Sequence, residues 1–447
     1  MVVLVPDNFL DLDTKLARLK AAPQARYEDY KAFGTILRYL PDPIDFTRWC
    51  EAAVACHPTS EATYLGIADA LAHAGMGCRA RYLGHTRLAI ALLERALTVL
   101  APSERRGQIH SNLCFLYNEI SRPDRAEHHG RLAKGHDNHL YHLWLSESLF
   151  AQNRFDPDPL CGIEMGVFRQ ESMQEMATEV ATAWDAAPPP PTDDFTLLVS
   201  VDPVYFRKFA LAQAINLHKL GSKVGLHYHI VNPDETSQAL ITVMRQRLPG
   251  LRLDFSFTRQ PDLGTSSNRV YYSCARLLVA RALMERENTN IVIADADVLF
   301  RTPPETLLAQ TAGHDLATIH YLGEPMCNRY NASFFTIRRT LLGTYFLRVM
   351  EKFLYSTFDR GMIWMIDQLA LYFCEQRVKK VTRGELRTLF WPEAVVAIHH
   401  YPLSDLWEAQ PDAPIWSGAT SAKWRDTPYT RLQNSLLREA GFNPDSL

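Results

Sequence analysis

Four consecutive prolines, Pro188 to Pro191, constrain this chain more than any other feature. Proline fixes φ and lacks an amide donor, so neither a helix interior nor a central strand can run through such a stretch. A stiff, extended spacer is the conformation left to it. With its small and acidic neighbours, residues 186–194 are predicted to form a Pro-rich linker. A chain of 447 residues also exceeds what one hydrophobic core usually serves, so two domains are the default. The division is therefore 1–185, which reads as all-α, and 195–447, where strands and helices alternate.

In the first part, residues 84–100 place Ala89, Leu92, Leu93, Ala96 and Leu100 on one helical face. Leu113, Cys114 and Tyr117 share a later helix, a turn follows at Ser121-Arg122-Pro123, and Ala126, Gly130 and Ala133 lie on the next. Small residues at these positions let helices approach closely. The pattern resembles the tetratricopeptide repeat: Ala89/Ala96 and Ala126/Ala133 recur at slightly more than the usual period of about 34 residues. An ordinary helical bundle is the alternative. A repeat array would offer a concave face for a protein or glycan acceptor.

In the second part, FTLLVSVD at 195–202 is an apolar run suited to a strand covered on both faces. A helix over 204–220, a strand at 224–231, a third strand at 251–257, a helix over 267–287 and a strand NIVIAD follow, which makes βαβ units with right-handed crossovers. The fold class is thus α/β, with a mixed, mainly parallel sheet flanked by helices. The fourth strand ends in IVIADADVLF, 291–300, with Asp295 and Asp297 two residues apart. In a strand, that spacing puts both carboxylates on one face. Two such charges at the edge of a core call for a cation, and Mg²⁺ or Mn²⁺ carrying a diphosphate suits them. Ligands in open α/β sheets sit beyond the carboxyl ends of strands, which groups Asp202 with Asp295 and Asp297.

Composition excludes several classes. A hydrophobic fraction of 47% with 22% charged residues marks a globular protein, and a formal charge of −3 gives no reason to expect nucleic acid. The eight cysteines show no CxxC spacing and read as reduced core thiols. The N-terminus MVVLVPDNFLDLD is a poor secretion signal. No uncharged apolar run reaches about 18 residues, so no transmembrane segment is expected. The cytoplasm is the simplest compartment.

Taken in order, the motifs of 195–424 resemble the A-type-fold (GT-A) nucleotide-sugar glycosyltransferases, nearest to the glycogenin-like and lipopolysaccharide galactosyltransferase group known as family 8. SVDPVYF is similar to the first-strand motif that meets the nucleotide base, which implies Asp202 and Tyr205. YYSCARLLVARAL resembles the helix that brings an arginine to the donor, implying Arg276, with Tyr271 at its start as a stacking or core aromatic. IADADVLF resembles the DxD metal signature. NASFFTIRR is similar to the strand lining the sugar pocket, implying Asn331, and IDQLALYF to the helix whose Asp367-Gln368 flanks the reacting sugar.

The resemblance implies a metal-dependent hexosyltransferase using a nucleotide-sugar, most simply a UDP-sugar. Asp297 would hold the metal, Asp295 the metal or the ribose, and Lys423 the departing diphosphate. The family's C-terminal metal-ligand histidine is replaced by Ile415, so His399 or His400 is the substitute, with His400 the chosen third ligand. The family's glycine after Asn331 is replaced by Ala332-Ser333. The family match implies retention of configuration; inversion would need a base, with Glu324 or Asp367 as candidates. The other readings are a Mg²⁺-dependent nucleotidyltransferase, disfavoured by the lack of a glycine-rich phosphate loop, and an inactive transferase-like domain in a helical-repeat binding scaffold. The basic run Arg377, Lys379, Lys380, Arg383 and Arg387 reads as a solvated face, or as a patch for an acidic acceptor.

Overall fold

Helices with buried stripes at the 3.6-residue period build the first part of the molecule. The computed structural model describes residues 12–37, 43–72, 79–101, 106–133, 140–155, 165–168, 182–185, 195–260, 265–321, 329–358, 366–392, 395–398, 412–417 and 427–444. The Pro-rich linker lies outside these residues. Two units are formed, Met1–Gly166 with Tyr321–Arg329, and Val167–His320 with Tyr330–Leu447.

In the first unit, α1 is Leu12–Ala21, α2 Tyr27–Leu37, α3 Pro43–Val54, α4 Glu61–Ala72, α5 Arg79–Val99, α6 Arg106–Glu119, α7 Pro123–Leu132 and α8 Leu140–Ala151. Ala89, Leu92, Leu93 and Ala96 of α5, Leu113, Cys114 and Tyr117 of α6, and Ala126 of α7 join one core, as their spacing predicts. Small residues set the helix separations. A Cβ on Gly66 of α4 would stand 2.6 Å from the Tyr27 carbonyl oxygen, so α2 and α4 meet backbone to backbone. Arg329 pairs with Glu119 and, at 3.1 Å, with Glu147; one guanidinium thereby answers two largely buried carboxylates.

Between α6 and α7, His110 Nδ1 and His129 Nδ1 form a buried hydrogen bond of 2.9 Å, one donating and the other accepting. The Tyr117 ring stacks on His129 at 5.5 Å. Burial, then the neighbouring His110, lowers the His129 pKa to about 4. The unfolded chain takes up this proton near pH 6.5 and the folded chain only near 4, so stability is lost as pH falls through that window. The loss is expected to be on the order of 3 kcal/mol at about 1.4 kcal/mol per unit. Urea midpoints across this pH range should fall less steeply in His129→Leu than in the wild type; equal slopes would remove the attribution.

In the second unit, among the described residues, eight strands run in the order β1-β4-β3-β2-β5-β8-β7-β9. They are β1 Ala183–Trp184, β2 Phe195–Val201, β3 Gly225–Val231, β4 Leu253–Thr258, β5 Asn290–Ala294, β7 Leu316–Ile319, β8 Phe334–Ile337 and β9 Thr388–Trp391. The strands β4-β3-β2-β5 are mutually parallel, and β8 runs antiparallel to β5. A small sheet holds β10 Val396–Ile398, β11 Ile415–Ser417 and β6 Val298–Phe300. The core strands β2, β3 and β5 are buried on both faces, in keeping with their mostly apolar runs, although β3 also buries His227 and His229. The α/β class with a mixed, mainly parallel sheet flanked by helices is thereby established. One element differs from expectation. Residues 1–185 are predicted to be all-α, yet Ala183–Trp184 pairs antiparallel with β4. Trp184 is held there by the Arg286 guanidinium, 4.6 Å from its ring, and the edge of His227.

Candidate functional site

The chain leaves β2 for β3 on one side, while β5 joins β2 on the other, which makes the β2/β5 boundary the topological switch point. Val199 pairs with Ala294, so Asp202 and Asp297, each three residues further on, emerge at the same end of adjacent parallel strands. Asp202 Oδ1 accepts from the Tyr205 amide at 2.7 Å and caps the one-turn helix Pro203–Tyr205. A π turn, Phe206–Ala210, then leads into the helix Leu211–Lys219. Tyr205 is 39% exposed and lies 5.5 Å from the Phe209 ring.

The two carboxylates of the DAD sequence lie beyond the end of β5 rather than on its face. The Val298 amide donates to the Asp295 carbonyl at 3.2 Å, closing a turn between β5 and β6, and the Asp295 amide donates to Ser333 O at 3.0 Å. Periodicity of a strand therefore does not govern their directions; the turn does.

Arg276, on the helix Thr265–Glu287, joins the motifs. Its guanidinium pairs with Asp295, donates to Ala332 O at 3.1 Å and reaches Asp367 Oδ2 at 3.3 Å. Only 4% of the Arg276 side chain is exposed. Burial opposes its charge, but Asp295 and Asp367 more than offset this, and its pKa is raised. Asp367 lies in the first turn of the helix Ile366–Val381 and accepts from the Gln368 amide at 2.9 Å. Burial raises its pKa, Arg276 works against that, and Asp295 adds to it. Three segments far apart in sequence thus share one cation.

Asp297 has a different environment. Among the described residues no lysine or arginine forms an ion pair with it. Burial first, then Asp295, pushes its carboxyl well above the ordinary carboxylate range, while its own backbone amide, the Arg276 charge and the Ser417 side chain work against that. The nearby Tyr429 hydroxyl is pushed up by burial and by Asp297. A carboxylate without a direct cationic partner among the described residues is suited to a divalent ion, and oxygen ligands suit Mg²⁺ or Mn²⁺. The described residues include no group of three His, Cys, Asp or Glu able to hold a metal by themselves. Such an ion fits here through one or two carboxylates completed by diphosphate oxygens and water.

The other predicted residues divide. Asn331 Oδ1 accepts from the Ser333 amide at 2.7 Å and the Phe334 amide at 3.1 Å, shaping the turn into β8 beside the Arg276 contact. Tyr271 is buried and packs 6.0 Å from Phe358. Ile415 lies in β11, opposite Phe300. His399, His400, Lys423 and Glu324 lie outside the described residues. The basic run is not one solvated face: Arg377 is buried, and Lys379 pairs with Glu375. The described cysteines form no disulfide with one another.

Sequence reasoning missed Gln213, Asn216, Ser417 and Tyr429. Gln213 and Asn216 did leave a signal, two amides three residues apart in an otherwise apolar helix, LAQAIN. Ser417 and Tyr429 left none, because only the pairing of β11 with β6 and the packing of the last helix bring them to Asp297.

No protein-family model and no curated protein sequence matches the chain. Among solved structures, apo mouse xyloside xylosyltransferase 1 is 13% identical over 51% of this chain and 98% of its own, with a TM-score of 0.32. The glycosyltransferase GlyE of Streptococcus pneumoniae TIGR4 is 12% identical over 57% of this chain and 62% of its own, at 0.37. The galactosyltransferase LgtC, in complex with donor and acceptor sugar analogs, is 13% identical over 54% and 95%, at 0.33. Likeness at this level leaves the assignment of chemistry to the chain's own residues. No described helix is long and apolar enough to cross a membrane.

Proposed function

We propose that this chain is a metal-dependent, DxD-type glycosyltransferase of the GT-A kind. It would move a sugar from a nucleotide-diphosphate donor, a UDP-sugar first among them, to a glycan or protein acceptor with retention. The observation that carries this reading is the Arg276 guanidinium, which draws Asp295 of the carboxylate turn and Asp367 of the Asp-Gln helix together beyond the ends of parallel strands. The family resemblance made those two motifs parts of one donor site, and their sharing of a buried cation supports it.

In this reading Asp202 and Tyr205 receive the base, and Asp295, oriented by Arg276, receives the ribose. Asp297 holds the metal with diphosphate oxygens, and a divalent ion bound there supplies positive charge against the negative charge growing on the leaving diphosphate. Lys423 and His400 are kept as candidate diphosphate and metal partners. Asn331 fixes the backbone that lines the sugar. Asp367 and Gln368 flank its reactive carbon, and Arg276 keeps Asp367 oriented as positive charge develops there.

A panel of nucleotide sugars incubated with Mn²⁺ tests the proposal through release of nucleoside diphosphate. At least one donor is expected to be hydrolysed or transferred, with loss of that turnover in Asp297→Ala. Absence of turnover with every donor, together with unchanged nucleotide binding in Asp297→Ala, would overturn it.

A further inference from the structure

We propose that Gln213 and Asn216 are positioning residues that hold the Asp295–Asp297 turn in the shape that binds a metal–diphosphate pair. The inference rests on the donor-site reading above. The helix Leu211–Lys219 is buried from Leu211 to Leu217, where apolar side chains are the rule, yet it carries two amides three residues apart on one face. Gln213 is fully buried. Its Nε2 donates to the carbonyl oxygens of Asp295 at 3.0 Å and Val298 at 3.1 Å, and its Oε1 accepts from the Tyr228 hydroxyl at 2.9 Å. Asn216 makes a reciprocal pair with the Phe300 backbone, donating to its carbonyl at 3.0 Å and accepting from its amide at 2.7 Å.

The Asp295 and Val298 carbonyls bracket the turn that carries both carboxylates. A buried backbone oxygen needs a partner, and here a side chain on another element supplies it. The turn is therefore set by the helix as well as by its own residues. That helix continues backward through the π turn Phe206–Ala210 to the residue capped by Asp202. π turns inside helices are frequently found at functional sites. The Asp202 end of the site and the carboxylate turn are thus two ends of one hydrogen-bonded connection. Neither amide is placed to touch substrate; both act through the turn's backbone.

Gln213→Met keeps the length and removes both donors, while Leu217→Ala, at a fully buried residue on the same helix, supplies a cavity without removing a hydrogen bond to the turn. In the full chain, UDP affinity is measured by calorimetry with and without Mn²⁺, alongside hydrogen exchange at the amides of 295–300. In Gln213→Met the Mn²⁺-dependent gain in affinity is expected to fall about 10- to 100-fold. Its metal-free affinity stays at the wild-type value, and exchange at 295–300 accelerates. Leu217→Ala keeps the full gain. A wild-type gain and wild-type exchange in Gln213→Met overturn the proposal, as does an equal loss of gain in Leu217→Ala. A wild type that shows no Mn²⁺-dependent gain instead defeats the donor-site reading. Exchange at 295–300 then decides the positioning role: acceleration in Gln213→Met supports it and no change overturns it. Where Gln213→Met does not fold, Asn216→Ser, which loses the reciprocal pair with Phe300, carries the same expectations.

Discussion

Replacing Arg276 with leucine is expected to destabilise the second unit by roughly 3–5 kcal/mol and, on the proposed function, to abolish sugar transfer. The size follows from what is left behind. Asp367 is 11% exposed and Asp295 34% exposed at the side chain, and both would lose the cation that offsets their burial. The Ala332 carbonyl would also lose its donor. Breaking a buried pair from one side is costly because the remaining charge is uncompensated, whereas the pair itself contributes little net stability. Arg276→Lys is expected to recover part of the stability and little of the activity, since one ammonium cannot span three acceptors as a planar guanidinium does. Urea unfolding midpoints beside donor turnover make the check. An Arg276→Leu protein of wild-type stability would show that the guanidinium is not what holds the two carboxylates.

Asp297→Asn is expected to act in opposite directions on activity and stability. On the proposed function turnover should fall about 10³-fold, because several kcal/mol of leaving-group stabilisation would depend on a metal held by this carboxylate. Metal-free stability should rise or stay level, because the substitution removes a partly desolvated charge that Asp295 repels. The pH dependence follows from the same shift. A carboxyl whose folded pKa is raised binds its proton more tightly folded than unfolded. Its contribution is therefore full below the ordinary carboxylate pKa and lost as pH rises through the raised one. The stabilisation by Asp297→Asn should grow from pH 4 to pH 8 in the presence of a chelator. Mn²⁺ should raise the thermal midpoint of the wild type and not of the variant. Equal Mn²⁺ shifts in both proteins would remove Asp297 from the metal site.

Much of the architecture was legible because it follows from local periodicity. FTLLVSV, GLHYHIV and NIVIA are short, mostly apolar runs suited to a strand covered on both faces, and they became β2, β3 and β5. The Ala89/Ala96 stripe was legible for the same reason, because small residues at helical spacing have meaning only against a neighbouring helix. Ala183–Trp184 was not legible, since two residues carry no period and their pairing partner lies on β4.

The candidate site divides along the same line. The identities of Asp202, Arg276, Asp295, Asp297 and Asp367 were readable because each stands in a short motif with a recognisable neighbour. Their relations were not. That one buried guanidinium serves both Asp295 and Asp367, that Asp297 forms no ion pair with a lysine or arginine among the described residues, and that Gln213 holds the turn from another helix all depend on segments far apart in the chain. The sequence by itself determined which elements form and which carboxylates reach the strand ends, because hydrophobic period and strand polarity are local. Only the tertiary structure decided which charges compensate one another, because that balance depends on distance and burial, and both are set where the packed elements meet.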